Sequence, residues 1–264
     1  MTLTDGNPLD HRQAGSAERS GALAALFDPT TFRHLEKFGV GPGWRCWEIG
    51  AGGGTVVSWL AKRVGPTGKV VATAADASWA ATPSRPPVEL RVHDVSAQEP
   101  PGEGFDLVHA RLVLAGVPDC AGALRSMAKA LRPGGRLLVE DIDLALQPLV
   151  CPDQYGPEQQ LANRLREALR RLLSGSGADL AFGRGLPRLL RAAGLRGVEA
   201  DAYFPVTAPA CATLESTTIR QIRAELVSAG LATAQEIDHH LTNVASGDMD
   251  LAAPPMISAW GRKP

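Results

Sequence analysis

Seven consecutive residues, Glu48-Ile49-Gly50-Ala51-Gly52-Gly53-Gly54, set an acid and four glycines between an apolar stretch and the segment TVVSWLAKRV. Glycines at a strand-to-helix turn let the backbone approach a ligand closely and leave the first helix amides free to hydrogen-bond it. The spacing argues against two phosphate-binding motifs. A dinucleotide fingerprint would place its third glycine at position 55, which is Thr55. A phosphate-binding loop closes on Gly-Lys-Ser/Thr, whereas Gly68-Lys69 is followed by Val70 and lacks the upstream glycine. What remains is an acid two residues ahead of three alternating glycines, E-x-G-x-G-x-G.

A second group of reactive side chains falls at the ends of expected strands. His109 closes the run Phe105-Asp106-Leu107-Val108-His109, at the carboxyl edge where ligands of doubly wound sheets gather. An imidazole titrates near neutrality, which makes His109 the candidate general base; the competing role is lining a pocket or bonding a backbone group. Arg111, Glu140, Asp141 and Asp143 end neighbouring strands and could orient a polar substrate. His239-His240 has no partner cluster at ligand-like spacing, so no metal site is expected. Cys46, Cys120, Cys151 and Cys211 lie far apart, without zinc-knuckle or redox-dithiol spacing, and are expected to be reduced and packed.

These residues need a scaffold that brings strand ends together, and the hydrophobic pattern supplies one. Short strands are expected at 44–49, 69–74, 88–93, 105–109 and 136–140, with helices over 55–64 and after Asp119, the latter stopped by Pro133-Gly134-Gly135. A very short or absent helix is expected near Ser78–Ala81. This alternation argues for a parallel sheet covered on both faces. From about Leu144 the rhythm changes to a long helix, 157–173, then a helix over 186–193, a strand over 198–206 and two further helices. The second of those two opens on the capping box Thr233-Ala234-Gln235-Glu236. A last strand is expected over 255–260. At the other end, the first twenty residues read as a polar, mobile tail, followed by one or two short helices over 21–40 with Asp28-Pro29 as a start signal.

The chain of 264 residues is 44% hydrophobic, 21% charged and 5% aromatic, enough to bury one substantial core or two small ones. Twenty-seven basic against twenty-eight acidic residues give a formal charge of −1, which removes the electrostatic footprint of sequence-independent nucleic-acid binding. No run approaches the roughly 18 apolar residues of a membrane span, and the first residues lack the apolar middle of a signal peptide. A cytoplasmic protein with a partner of low charge is the expectation.

Taken in order, Glu48 to Gly54, His93-Asp94-Val95, Phe105 to Val108 and Ala130-Leu131-Arg132-Pro133-Gly134-Gly135-Arg136-Leu137-Leu138-Val139-Glu140 resemble the class I methyltransferases that use S-adenosylmethionine. Leu26-Phe27-Asp28-Pro29, His109 to Leu114 and Ser258 to Arg262 look, more narrowly, like small-molecule methyltransferases of high-GC actinobacteria. The resemblance implies a Rossmann-like α/β fold: a doubly wound, mostly parallel seven-stranded sheet with a helical cap. It implies a single domain over 21–264, with N-terminal cap helices at 21–40, an inserted cap at 144–182 and C-terminal helices at 213–247.

It also implies roles. Glu48 would engage the amino-acid end of the cofactor directly or through water, while Gly50, Ala51 and Gly52 pass close to it. Asp94 would accept from the adenine amino group, flanked by His93 and the backbone of Val95, and His109 would line the same site. The family's ribose-gripping acid falls at Ala74 here. Asp76, two residues on and therefore on the same side of a continuing strand, is the substitute, with Ala77 beside it. Trp79 would pack on the adenine or in the core. Phe27, Arg111, Glu140 and Tyr155 are the candidate substrate contacts, with Phe182 as a further lining residue.

Methyl transfer is an in-line displacement driven largely by positioning and desolvation, so a base is optional. The implied activity moves a methyl group from S-adenosylmethionine to an oxygen, nitrogen or carbon of a small metabolite, natural products included, leaving S-adenosylhomocysteine. No metal, nucleic acid or membrane is implied, and a homodimer is allowed. The alternative is the same fold catalysing a non-methylating reaction or only binding a ligand, motivated by Ala74. Methylation of a protein is a third and weaker reading.

Overall fold

The computed structural model describes residues 16–75 and 85–264. They fold into two compact units. One contains residues 28–142, 182–202 and 257–264; the other contains 16–27, 143–181 and 203–256. Asp76, Ala77, Trp79 and the segment 78–81 lie outside the described residues.

The first unit is a seven-stranded sheet: β1 (Arg45–Ile49), β2 (Lys69–Ala74), β3 (Val88–Val92), β4 (Phe105–Arg111), β5 (Leu131–Ile142), β6 (Arg196–Tyr203) and β7 (Met256–Arg262). Their order across the sheet is β3-β2-β1-β4-β5-β7-β6. The pairs β1·β2, β1·β4, β2·β3 and β4·β5 are parallel. β7 runs against β5: Lys263 exchanges backbone bonds with Gly134 and Gly135 near one end of β5, while Ser258 meets Glu140 near the other. The order reverses direction at β1 and β4, the point where a doubly wound sheet leaves a crevice at its carboxyl edge.

Side chains alternate across this sheet, and each face has its own core. Trp47, Ile49, Val108, Ala110, Leu137 and Val139 pack with α3 (Cys120–Ala130) and α5 (Phe182–Ala192). Cys46, Leu107, Leu138 and Trp260 pack on the other face with α2 (Thr55–Val64), with Leu35 of α1 (Ser16–Lys37) and with Phe38 just after it. The same two-residue period sends Glu48, His109 and Glu140 to that second face, each one step beyond an apolar residue.

Several expected boundaries change. α1 is one helix of 22 residues with Pro29 inside it, so Asp28-Pro29 does not start a helix. Its first residue, Ser16, lies within the stretch expected to be a tail, which corrects that expectation for 16–20. α3 ends at Ala130, and Pro133-Gly134-Gly135 sits inside β5, where the register with β4 shifts between Phe105 and Leu107. Gly135 is needed at this irregularity: a Cβ there would stand 2.8 Å from the Phe105 carbonyl and 2.9 Å from that of Arg132.

The second unit is mainly helical, with α4 (Pro157–Gly175), α6 (Pro209–Gln221), α7 (Arg223–Ser228) and α8 (Ala234–Ser246). Three helices replace the two expected after β6, because Ile222 leaves helical geometry at φ −98° and ψ 8° and separates α6 from α7. Thr233 and Glu236 form the expected capping box at the start of α8. Glu215 is buried in this unit between Arg166, at 2.9 Å, and His240, at 3.0 Å. Burial opposes ionisation of its carboxyl, but the charge of Arg166 and the bond from His240 hold it down at about 2. Among the described residues, no helix is long and apolar enough to cross a membrane.

Candidate active site

The glycine loop leaves the carboxyl end of β1. Gly50 turns the chain at φ +75°, and its amide and that of Ala51 both donate to the Thr73 carbonyl of β2, at 2.8 and 3.1 Å. A Cβ at Gly50 would collide with the Val113 side chain, so both conformation and space require glycine here. Gly52 and Gly53 are exposed, and Gly54 enters α2 at φ +68°. Among the described residues, no side chain caps the first amides of α2, and its first turn carries no acid. Such an uncapped amino terminus favours a negatively charged or hydrogen-bond-accepting group.

Beneath the loop lies a buried chain of alternating charge. Register places Glu48 directly opposite His109 and Arg111 opposite Glu140. His109 Nδ1 lies 2.6 Å from a Glu48 oxygen, and Nε2 lies 3.2 Å from Oε2 of Glu140. Burial alone would lower the imidazole's pKa, but the opposing charges and hydrogen bonds of Glu48 and Glu140 raise it to about 9. The ring is therefore an imidazolium near neutrality and donates from both nitrogens. Burial opposes ionisation of Glu140 as well, but His109, Ser258 and Thr31 hold its carboxyl down at about 2. Thr31 Oγ1 donates to Oε2 of Glu140 at 2.5 Å, and Ser258 Oγ donates to Oε1 at 2.6 Å. Thr31 accepts from Arg111 at 3.0 Å, whose other terminal nitrogen bonds Asp28 at 2.7 Å. The order is thus Asp28, Arg111, Thr31, Glu140, His109, Glu48.

This arrangement alters two roles read from the sequence. His109 is wholly buried with both ring nitrogens engaged, so it has no lone pair with which to take a substrate proton. Glu140 is 1% exposed, and its oxygens face Ser258, Thr31 and His109 rather than a substrate. Arg111 keeps some exposure beside Asp28. Beyond it, Leu112 takes φ +59°, a conformation unfavourable for a branched side chain, while its amide bonds the Glu140 carbonyl at 2.9 Å. Asp141, next along β5, is buried and accepts from the Ala115 and Ile142 amides; burial raises its carboxyl to about 7.

At the end of β3, Asp94 is half-buried, and its Oδ1 accepts from the Ser96 amide and hydroxyl at 2.8 and 2.6 Å. His93 bonds the Glu99 carbonyl at 2.9 Å and meets Trp47 edge-on at 5.6 Å, and Val95 is buried. Phe27 and Tyr155 belong to the helical unit: Phe27 is buried edge-on to Tyr203, and Tyr155 is exposed, its hydroxyl 3.4 Å from the Asp248 carbonyl. Thr31, Ser258 and the side chain of Asp28 complete this network, and sequence reasoning did not single them out. Thr31 and Glu140 are 109 positions apart and Ser258 and Glu140 are 118 apart, so no local spacing links them.

The residues present fit S-adenosylmethionine at its amino-acid end: uncapped amides at α2 for a carboxylate, and a buried acid at the loop for an ammonium. Strand order, glycine loop and uncapped helix define a Rossmann-like cofactor-binding α/β protein. The methyltransferase domain family profile matches residues 15–200, and the chain belongs to that family, whose methyl donor is S-adenosylmethionine. It is 30% identical to nocamycin O-methyltransferase of Saccharothrix syringae over 274 aligned positions, covering 95% of this chain and 96% of that one. It is 27% identical to the ubiquinone/menaquinone biosynthesis C-methyltransferase UbiE of Hahella chejuensis, over 57% of this chain and 71% of the relative. Among solved structures, phosphoethanolamine N-methyltransferase 2 of Haemonchus contortus in complex with S-adenosyl-L-methionine aligns with a TM-score of 0.61 at 15% identity. That alignment covers all of this chain and 60% of that one, and it supports the fold alone. The alternative of a non-methylating protein is not favoured.

Proposed function

We propose that this protein transfers the methyl group of S-adenosylmethionine to a nucleophilic atom of a small metabolite, in natural-product biosynthesis. The observation that carries the reading is the exposed glycine loop running into an uncapped α2 beside buried Glu48. The two-way coverage shared with nocamycin O-methyltransferase supports a natural-product substrate, oxygen as the acceptor atom and the narrower actinobacterial kinship. S-adenosylmethionine supplies an electrophilic methyl on a sulfonium, leaving S-adenosylhomocysteine.

The chain's own residues would act as follows. Glu48 accepts from the ammonium group, the α2 amides receive the carboxylate, and Asp94 offers its second oxygen to the adenine amino group. Asp76 would take the ribose. Positioning at the loop does the main work, and His109 serves as a charged brace for Glu48 rather than as a base. The enzyme would act in the cytoplasm and needs no nucleic acid.

Calorimetry with S-adenosylhomocysteine tests the cofactor reading, and transfer of labelled methyl to extracted small metabolites tests the acceptor class. Absence of binding at millimolar ligand would remove the first, and label appearing only in protein would remove the second. Asp94→Ala is expected to weaken S-adenosylhomocysteine binding about tenfold, as loss of one hydrogen bond to a charged acceptor implies; unchanged affinity would remove the adenine role.

A further inference from the structure

Glu48 is held by a residue that is itself held from two elements distant in sequence. His109 carries charge because two carboxylates flank it, and of these Glu140 has no solvent to stabilise its anion. Among the described residues, the side chains that bond that carboxylate's oxygens are Thr31 from α1, Ser258 from β7 and His109 itself. Thr31 donates to Glu140, a carboxylate that can only accept, and itself accepts from Arg111, whose second terminal nitrogen is anchored by Asp28, about one helical turn before Thr31 on α1.

We propose that Thr31 and Ser258 are positioning residues for the cofactor acid: by keeping Glu140 ionised against His109, they keep Glu48 fixed at the head of the glycine loop. The proposal rests on the cofactor reading above and assigns what tunes that site. Residues 28–31 of α1 thereby set cofactor affinity through His109 and Glu140. The chain of charge explains how a hydroxyl can matter at that distance. Without its donors, Glu140 takes a proton; His109 then loses one of its two counter-charges and gives up its own proton more readily. A neutral imidazole keeps one N–H for Glu48 but not its charge, so the ion pair that fixes Glu48 weakens to a hydrogen bond from an uncharged donor. The groups facing His109 are Glu48 from β1 and Glu140 from β5; behind Glu140 stand Thr31 and Asp28 from α1, Arg111 from β4 and Ser258 from β7.

The test is calorimetric binding of S-adenosylhomocysteine to the full chain between about pH 6 and pH 10, for wild type, Thr31→Val, Thr31→Ser and Ser258→Ala. The amine of the ligand titrates identically with every protein, so differences between them isolate the network. Thr31→Val and Ser258→Ala are expected to bind about fivefold more weakly near neutrality. Their alkaline fall in affinity should begin about one pH unit lower than in wild type, and Thr31→Ser should match wild type. A wild-type chain that binds nothing overturns the cofactor reading and this proposal together. Wild-type binding with Thr31→Val and Ser258→Ala unchanged overturns the proposal alone. So does weaker binding with the pH profile unmoved, since a merely structural hydroxyl would produce that. Should Thr31→Val fail to fold, Ser258→Ala interrupts the same carboxylate from the opposite side, and its pH profile decides between the same outcomes.

Discussion

A buried imidazolium between two carboxylates is an unusual way to use a histidine, and its consequences are measurable at single residues. Removing the cation leaves Glu48 and Glu140 uncompensated in a site with almost no solvent. His109→Gln should therefore cost about 3 kcal/mol of stability, the order expected when one partner of a buried ion network is deleted. Adding Glu140→Gln, which removes one of the stranded charges, should recover part of that loss, and denaturant unfolding of the two singles and the double measures the coupling. Additive losses would show that the charges do not act on each other. The same geometry predicts that His109→Gln raises the KM for S-adenosylmethionine while kcat at saturating cofactor changes little. A collapse of kcat at unchanged cofactor KM would instead restore His109 as the base.

At the scale of elements, what is legible in the sequence is what local pattern determines. The order of β1, the glycine loop and α2 is written in period-two burial, consecutive glycines and period-3.6 apolar spacing, and α2 falls at Thr55–Val64 as expected. α1 departs from the local reading because Pro29 carries a strong start signal that the helix overrides with interactions made elsewhere: Phe32 stacks on Trp59 at 5.1 Å, Glu36 pairs with Arg63, and Thr31 reaches Glu140. The clamp on Glu140 is not legible at all, since it depends on β7 lying beside β5, a neighbourhood fixed by sheet order rather than by spacing. The loop gives this scale its own prediction. Gly50→Ala must place a methyl against Val113 while holding φ at +75°, so it should lose about 2 kcal/mol of stability and most cofactor affinity. Adding Val113→Ala should relieve the collision but not the backbone strain, giving partial recovery in thermal unfolding. Full recovery would mean that the positive φ carries no cost.

For the molecule as a whole, the buried carboxylates and imidazole determine how stability follows pH. Glu140 and Glu215 have carboxyls lowered from 4.5 to about 2, so their contribution is complete above 4.5 and is lost as pH falls toward 2. His109 is raised from 6.5 to about 9, so its contribution is complete below 6.5 and is lost as pH rises through 9. Asp141 is raised from 3.8 to about 7, so it too favours the folded chain at low pH and withdraws that support between those values. Two groups thus weaken the acid side below 4.5, and two weaken the alkaline side, Asp141 first and His109 after it. Stability should peak near pH 4.5, where the acid limb is complete while the loss from Asp141 continues, and decline in both directions, which thermal unfolding across buffers would record. The alkaline decline should have two stages, and Asp141→Asn should remove the earlier one because the neutral amide has no proton to lose. Since Glu215 lies in the helical unit and Glu140 in the sheet, Glu140→Gln should flatten only part of the acid limb. A limb that vanished entirely with Glu140 would mean that the buried pair of the helical unit contributes nothing to acid unfolding.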